Sequence, residues 1–172
     1  EAENRWGFNK RLDDRGICPE NFHIPTDDEF KILERYIGMS EDEINSGQYR
    51  GNKGSKLAGG INYWLEGLLI NDEFASTGFN WLPSGYKHGQ GDYYIGESGY
   101  LWTLKNTDES TNRRSIYYDD PGIFRYEVPN NLGYSIRCLS DELLNTTIHV
   151  PDDFPTIQAA IDYSIDGDTI LV

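Results

Sequence analysis

Apolar positions recur at a helical period early in the chain and in short strand-like runs later. Between Thr26 and Ile37, the residues Phe30, Leu33 and Ile37, with Ile32 beside them, form one apolar stripe at the 3.6-residue period. Pro25 precedes this stretch, and Thr26-Asp-Asp-Glu29 has the form of a capping box, with Thr26 as N-cap and Glu29 at N3. The acids Asp27, Asp28 and Glu29 suit the positive end of a helix dipole, and Gly38 ends the element. A second box, Ser40-Glu-Asp-Glu43, opens a short helix to about Ser46. Residues 47–60 are rich in Gly, Lys and Ser and read as loop, with a turn of helix around Lys53–Ala58. From Gly78 the texture changes to short aromatic runs separated by Gly, Pro, Asn and Asp. Phe79–Leu82, Asp92–Ile95, Tyr100–Leu104, Arg113–Tyr118, Ile123–Val128 and Tyr134–Leu139 are predicted strands.

Helices first and strands afterwards predict an α+β domain over residues 1–142. Asp141–Asn145 reads as a polar linker, and a second unit occupies residues 143–172. It opens with the strand Thr147–Val150, continues through a helix at Thr156–Ser164 and a turn at Asp166-Gly167-Asp168, and ends in the strand Thr169–Val172. Residue 1 is Glu, the sole Met is Met39, and the C-terminal run is apolar with no polar tail. An unpaired apolar strand is a sticky edge, so the expectation is a piece cut from a longer protein.

Composition narrows the partners. Aromatic residues make up 13% of the 172 residues, which suits a packed core. With 29 Asp+Glu against 15 Lys+Arg the formal net charge is −14, which disfavours nucleic acid and anionic membrane surfaces. The longest apolar stretch, Ile61–Ile70, is broken by Asn62 and Glu66, well short of the roughly 20 residues that span a bilayer. On count alone, Cys18 and Cys138 fit either one disulfide or two buried thiols.

Several motifs carry a resemblance. Gly16-Ile-Cys-Pro-Glu-Asn-Phe-His-Ile-Pro-Thr-Asp-Asp-Glu-Phe30 is similar to the opening motif of the Fibrobacter succinogenes major paralogous domain, CP-x-G-W-H-x-P-T-x-x-E-W. Gly54-Ser-Lys-Leu57, Gly78-Phe-Asn-Trp-Leu-Pro-Ser-Gly-Tyr86, Gly99-Tyr-Leu-Trp-Thr103 and Gly133-Tyr-Ser-Ile-Arg-Cys138 follow in the family's order, over about residues 5–140. Asn21 and Phe22 stand for the usual Gly-Trp, Phe30 for Trp, and Leu104-Lys105 for Ser-Thr. The resemblance implies a C-type-lectin-like fold with N-terminal helices and short twisted antiparallel strands. It also implies a secreted or cell-surface bacterial protein and a Cys18–Cys138 bridge. A second resemblance covers residues 147–172, which look like the N-terminal cap and first rung of a right-handed parallel β-helix of the pectin-lyase-like kind. Its capping helix would bring Ile157, Ala160 and Ile161 over that rung, and a lone cap would leave them incompletely buried.

Candidate chemistry points to recognition rather than turnover. His23, His88 and His149 share no metal-ligand spacing; His23 reads as structural and His88 as solvated. The oxygen-rich residues Asn106, Asp108, Glu109, Asp119 and Asp120 read as a solvated acidic loop, and no cofactor or metal is expected. Tyr86, Tyr93, Tyr94, Tyr117 and Tyr118 lie near Lys87, Arg113 and Arg125, the residue types that binding surfaces favour. The rival reading is that alternate aromatics fill the core, as expected of Trp81 and Trp102. Residues 86–94 and 106–126 are the expected ligand face, for a carbohydrate or a surface protein. The chain is expected to be a non-catalytic monomer. Alternatives are the targeting domain of a polysaccharide-degrading β-helix enzyme, or a structural or adhesin module without a small ligand.

Overall fold

The computed structural model describes residues 16–104, 111–128, 131–141, 147–164 and 169–172. The acidic loop residues Asn106, Asp108 and Glu109, most of the linker, and Asp166-Gly167-Asp168 lie outside the described residues. The chain divides between Leu139 and Ser140 into two compact units.

The first unit mixes short helices with small antiparallel sheets. Its elements run β1 (Phe22–His23), α1 (Asp27–Tyr36), α2 (Glu41–Asn45), α3 (Gly54–Leu57), a 3-10 turn at Ile61–Tyr63, β2 (Tyr86–His88), β3 (Gly91–Tyr93), β4 (Ser98–Thr103), β5 (Thr111–Tyr117) and β6 (Asp120–Val128), and its last residue begins the two-residue β7 (Leu139–Ser140). Both capping boxes form as read. Glu29 N–H donates to the Thr26 hydroxyl and Glu43 N–H to the Ser40 hydroxyl, while each glutamate accepts from its N-cap backbone.

Strands β4, β5 and β6 make the central antiparallel sheet, with Leu101, Arg114 and Arg125 in one row and Trp102, Arg113 and Tyr126 in the next. Because side chains alternate along a strand, the sheet has two inner faces. One face sends Leu101, Ile116 and Ile123 into a core with Phe30, Ile37, Leu57 and Trp81. The other sends Tyr100 and Trp102 into a second core with Cys18, Ile24 and Tyr134. Strand β4 is buried along its whole length, which explains why Tyr100-Leu101-Trp102 is a continuous apolar run. Its outer edge is covered by other segments: Trp102 N–H donates to Ser135 O (3.0 Å), Gly85 N–H to Ser98 O (2.8 Å) and Leu104 N–H to Pro25 O (2.9 Å). Gly99 has to be glycine here, since a Cβ would lie 2.5 Å from Trp81 Nε1 and 2.8 Å from Leu82 O.

The structure corrects several expectations. Ile32 lies outside the apolar stripe and is 61% exposed, whereas Glu34, on the same helix, is fully buried. The run Tyr134–Leu139 is not a strand. Only single bridges form at Gly133 and Ser135, and just Leu139–Ser140 joins β1. Phe79–Leu82 contributes one bridge, from Trp81 to Ala58. Strand β3 stops at Tyr93 because Tyr94 adopts a left-handed backbone (φ 58°). A disulfide joins Cys18 to Cys138, as the family resemblance implied, across a sequence separation of 120. A loop of that size restricts the unfolded chain by roughly 5 kcal/mol in the chain-entropy picture.

Glu34 is held by two buried guanidinium groups. Arg50 Nη1 donates to Glu34 Oε2 (2.7 Å), Arg50 Nη2 also donates to its carboxylate, and Arg114 Nε donates to Oε1 (2.9 Å). Arg114 Nη1 continues to Asp27 Oδ1 (2.7 Å), and Asp27 Oδ2 accepts from Arg125 Nη1 (3.3 Å). Helix α1, the Arg50 loop, β5 and β6 are thus tied through one charge network. Burial alone would raise the Asp27 pKa, but Arg114, Arg125 and Lys31 outweigh it and hold the carboxyl below its ordinary 3.8. Burial would likewise raise Glu29, but hydrogen bonds from Thr26 and His23 outweigh it and hold that carboxyl below its ordinary 4.5.

The second unit contains β8 (Thr147–His149), α4 (Ile157–Tyr163) and β9 (Thr169–Leu171). Strands β8 and β9 are parallel, pairing Ile148 with Ile170, and α4 is the connection between them. Thr156 caps α4 through its hydroxyl, which accepts from Ala159 N–H (3.2 Å). Ile148 and Ala160 are buried, while Ile157 and Ile161 remain about half exposed at 47% and 49%.

Two outcomes follow from the charge network. Glu34→Ala leaves the buried Arg50 without its carboxylate and Arg114 with Asp27 alone, and is expected to lower stability by about 3–5 kcal/mol in urea denaturation. A drop below about 1 kcal/mol would show that the network is not holding α1 to the sheet. The lowered pKa values of Asp27 and Glu29 give stability that is complete above about pH 4.5. It is lost as the pH falls further, because the unfolded chain takes up the protons first. Asp27→Asn should therefore show a smaller fall in stability between about pH 4.5 and 3 than the unsubstituted chain. Equal falls would contradict the assignment.

Candidate functional site

The site is built on the β2–β3 hairpin. Tyr86 pairs with Tyr93, Lys87 with Asp92 and His88 with Gly91, around a turn in which Gly89 takes a positive φ of 59°. The Tyr86 and Tyr93 rings stack across the strands at 5.3 Å, and Tyr94 stacks on Tyr86 at 5.9 Å. Lys87 Nζ reaches Asp92 Oδ1 at 3.3 Å on the exposed edge.

Residues 133–138 form the opposite wall. Lys87 and Gly133 exchange two backbone hydrogen bonds of 2.8 and 2.7 Å. A Cβ on Gly133 would sit 3.0 Å from Lys87 Cβ, so the close approach favours glycine. The hydrogen bond from Trp102 N–H to Ser135 O docks this wall on β4, and the Cys18–Cys138 disulfide fixes its far end. Between the walls lies a groove of about 560 Å³, floored by Trp102 and Tyr134, with Tyr86, Lys87 and Asp92 on the hairpin side and Ile17 and Cys138 at the end. Its volume falls in the ordinary range for small-ligand sites. Ser84 and Ser135 meet through their hydroxyls at 2.8 Å. Together with Ile136 they also line a second recess of about 200 Å³, which holds Asn80, Trp81, Leu101 and Arg137.

Aromatic packing continues beneath the floor. Tyr86 meets Tyr100 edge-on at 5.3 Å, Tyr100 stacks on Tyr134 at 5.2 Å, and Trp102 meets Tyr134 at 4.7 Å. The Arg113 guanidinium lies 4.7 Å from the Tyr100 ring, 5.0 Å from Tyr126 and 5.4 Å from Tyr134, and Nη1 donates to the Tyr134 hydroxyl (3.4 Å). Burial raises the Tyr100 and Tyr134 pKa values, the latter against the pull of Arg113. Burial and then the neighbouring Tyr49 push Tyr126 up to about 12. These phenols stay neutral near pH 7, and of the three it is Tyr134 that lines the groove.

The structure thus brings together part of the expected set. Tyr86 and Lys87 line the groove, Tyr93 and Tyr94 stack against Tyr86, and Arg113 supports the floor from behind. Tyr117 joins the aromatic cluster through Tyr100 (5.9 Å) and Phe124 (4.8 Å). Tyr118 and Arg125 are not at the groove. Tyr118 packs against the first core and its carbonyl accepts from Leu69 N–H, while Arg125 belongs to the Asp27 network. Sequence reasoning missed Trp102, Tyr134, Ser84, Ser135 and Arg137 as site residues. The usable signal was the glycine at 133 beside a cysteine at 138, which marks a pinned segment rather than a strand. His23 Nε2 lies 2.9 Å from Glu29 Oε1 at the cap of α1, a structural position. Among the described residues, no group of three or more His, Cys, Asp or Glu could hold a metal ion, and no helix is long and apolar enough to cross a membrane.

No curated protein and no solved structure matches the chain. The Fibrobacter succinogenes major domain does match, over residues 6–140. That span contains both walls of the groove, the disulfide and the central sheet, and the chain belongs to this family.

Proposed function

We propose that the first unit is a non-catalytic recognition module of a secreted or cell-surface bacterial protein, and that it binds carbohydrate in the groove between the β2–β3 hairpin and residues 133–138. The observation that carries this reading is the composition of the groove. Two aromatic residues form the floor and Tyr86 one wall, with the hydroxyls of Ser84 and Ser135 at their margin. Sugar rings present apolar C–H faces and a rim of hydroxyls, and stacked neutral aromatics beside hydroxyl groups match both. The disulfide supports an oxidising compartment. A C-type-lectin-like ancestry fits the mixture of short helices and small antiparallel sheets, with recognition carried by loops on a rigid sheet.

A second reading concerns what this module serves. Parallel pairing of β8 with β9 through a capped helix, with Ile157 and Ile161 half exposed, supports the second unit being the cap and first rung of a parallel β-helix. The recognition module would then target the activity of such a solenoid to a polysaccharide.

A polysaccharide-binding screen of the chain tests the first reading. Tyr93→Ala removes a half-exposed ring that stacks on Tyr86, and Tyr86→Ala removes the wall itself. Each is expected to weaken binding about tenfold, the scale of one aromatic stacking interaction at a binding centre. Tyr36→Ala, on the exposed face of α1 at 74% exposure, should leave binding unchanged. Failure to bind any polysaccharide, or equal effects of Tyr93→Ala and Tyr36→Ala, would overturn the reading.

A further inference from the structure

The formal charge of −14 leaves an excess of carboxylates, and nearly every described cation uses one. Lys31 pairs with Asp27 and Asp28, Arg35 with Glu41, Arg50 with Glu34, Lys53 and Lys56 with Glu73, and Lys87 with Asp92. Arg114 pairs with Glu34 and Asp27, and Arg125 with Asp27. Among the described residues, Arg113 and Arg137 are the two Lys or Arg side chains that form no ion pair. One packs behind the groove and the other lines the adjoining recess. Arg113 lies under Tyr134, held by three rings and one phenol, with its Nε buried and without a hydrogen-bond partner. Arg137 lines the smaller recess, which shares Ser84, Ser135 and Ile136 with the groove.

Arg137 is poised rather than satisfied. Its guanidinium stacks on Phe79 at 4.3 Å, and Nη1 donates to the Phe79 carbonyl. A guanidinium carries five N–H donors in a planar fork, so donors remain for a carboxylate. Burial pushes the Arg137 pKa down. In so acidic a chain an unpaired guanidinium stands out, and this one lines a recess that shares Ser84, Ser135 and Ile136 with the groove.

We propose that the groove and the recess form one bipartite site for an acidic saccharide: a sugar ring stacks in the groove and the carboxylate of a uronate residue is received by Arg137. This rests on the carbohydrate reading given above and names the class of sugar. The net negative charge does not exclude it. Exposed charges further apart than about 8–10 Å are largely screened at physiological salt, whereas a guanidinium–carboxylate pair is local. Lys87 is already paired with Asp92, which leaves Arg137, among the described residues, as the exposed positive group lining this site.

The test is calorimetric titration of the chain with polygalacturonate and polyglucuronate, with the same polymers methyl-esterified, with a panel of neutral polysaccharides and with poly-glutamate. The expected result is binding to a uronate polymer, weakened about tenfold or more by esterification, as expected when one charge-assisted hydrogen bond is removed. Arg137→Gln should bind acid and ester forms alike, and Arg137→Lys should keep only part of the preference. Tyr93→Ala should weaken both forms together. Equal binding of acid and ester by the unsubstituted chain, or binding to neutral polysaccharides alone, would overturn this inference and leave the carbohydrate reading standing. Poly-glutamate binding as tightly as uronate would overturn the saccharide class in favour of an acidic peptide. No binding to any polysaccharide would overturn both readings.

Discussion

The Glu34 carboxylate is the point at which helix and sheet are locked together. It is fully buried, and it accepts from Arg50 and Arg114, which are themselves buried. Removing charges from water is costly, and the arrangement is tolerable only because every oxygen of the Glu34 carboxylate faces a donor. Arg114 then passes the constraint to Asp27 at the first turn of α1, and Asp27 passes it to Arg125 on β6. Hydrophobic packing among Phe30, Leu101 and Ile116 would allow α1 to slide on the sheet. A directional charge network allows one register, and that register sets where Pro25 and Thr26 cover the end of β4.

From this constraint the opposite face of the sheet gains its role. With one face filled by α1 and its core, Tyr100 and Trp102 must be covered from the other side. The cover is irregular: residues 133–138, the hairpin at 86–93 and the segment that carries Cys18. Irregular backbone cannot satisfy its own hydrogen bonds, and here it borrows them from Lys87 and from the edge of β4. The same borrowing leaves a gap between hairpin and wall, and the groove is that gap. The disulfide closes the one end that backbone pairing does not reach.

Local signals were legible in the sequence, and pairings between distant segments were not. Both capping boxes formed because Thr26 with Glu29, and Ser40 with Glu43, bond within four residues. The strands at Tyr100, Arg113 and Ile123 were legible from aromatic and β-branched content, whereas of the hairpin only the arm at Asp92 and Tyr93 was expected as a strand and its partner Tyr86–His88 was not. Hydropathy assigned Ile32 inward and the charged residues outward, whereas burial of Glu34 depends on Arg50 and Arg114, 16 and 80 residues away. Tyr118 and Arg125 looked like surface binding residues because nothing local marks the Leu69 or Asp27 that engage them. Half of the groove was missed for the same reason: Tyr134–Leu139 has strand composition, but the disulfide and the close approach at Gly133 hold it as a wall.

The proposed ligand site is confined to the groove between the β2–β3 hairpin and residues 133–138, with the adjoining recess that Arg137 lines. Backbone amide chemical-shift mapping with a uronate oligosaccharide tests it most directly, because it reports location without a substitution. The account predicts shifts concentrated in residues 84–93 and 133–138, with the amides of α1 and of residues 66–70 unmoved. Shifts centred on α1, on Tyr118 or on the second unit would contradict it.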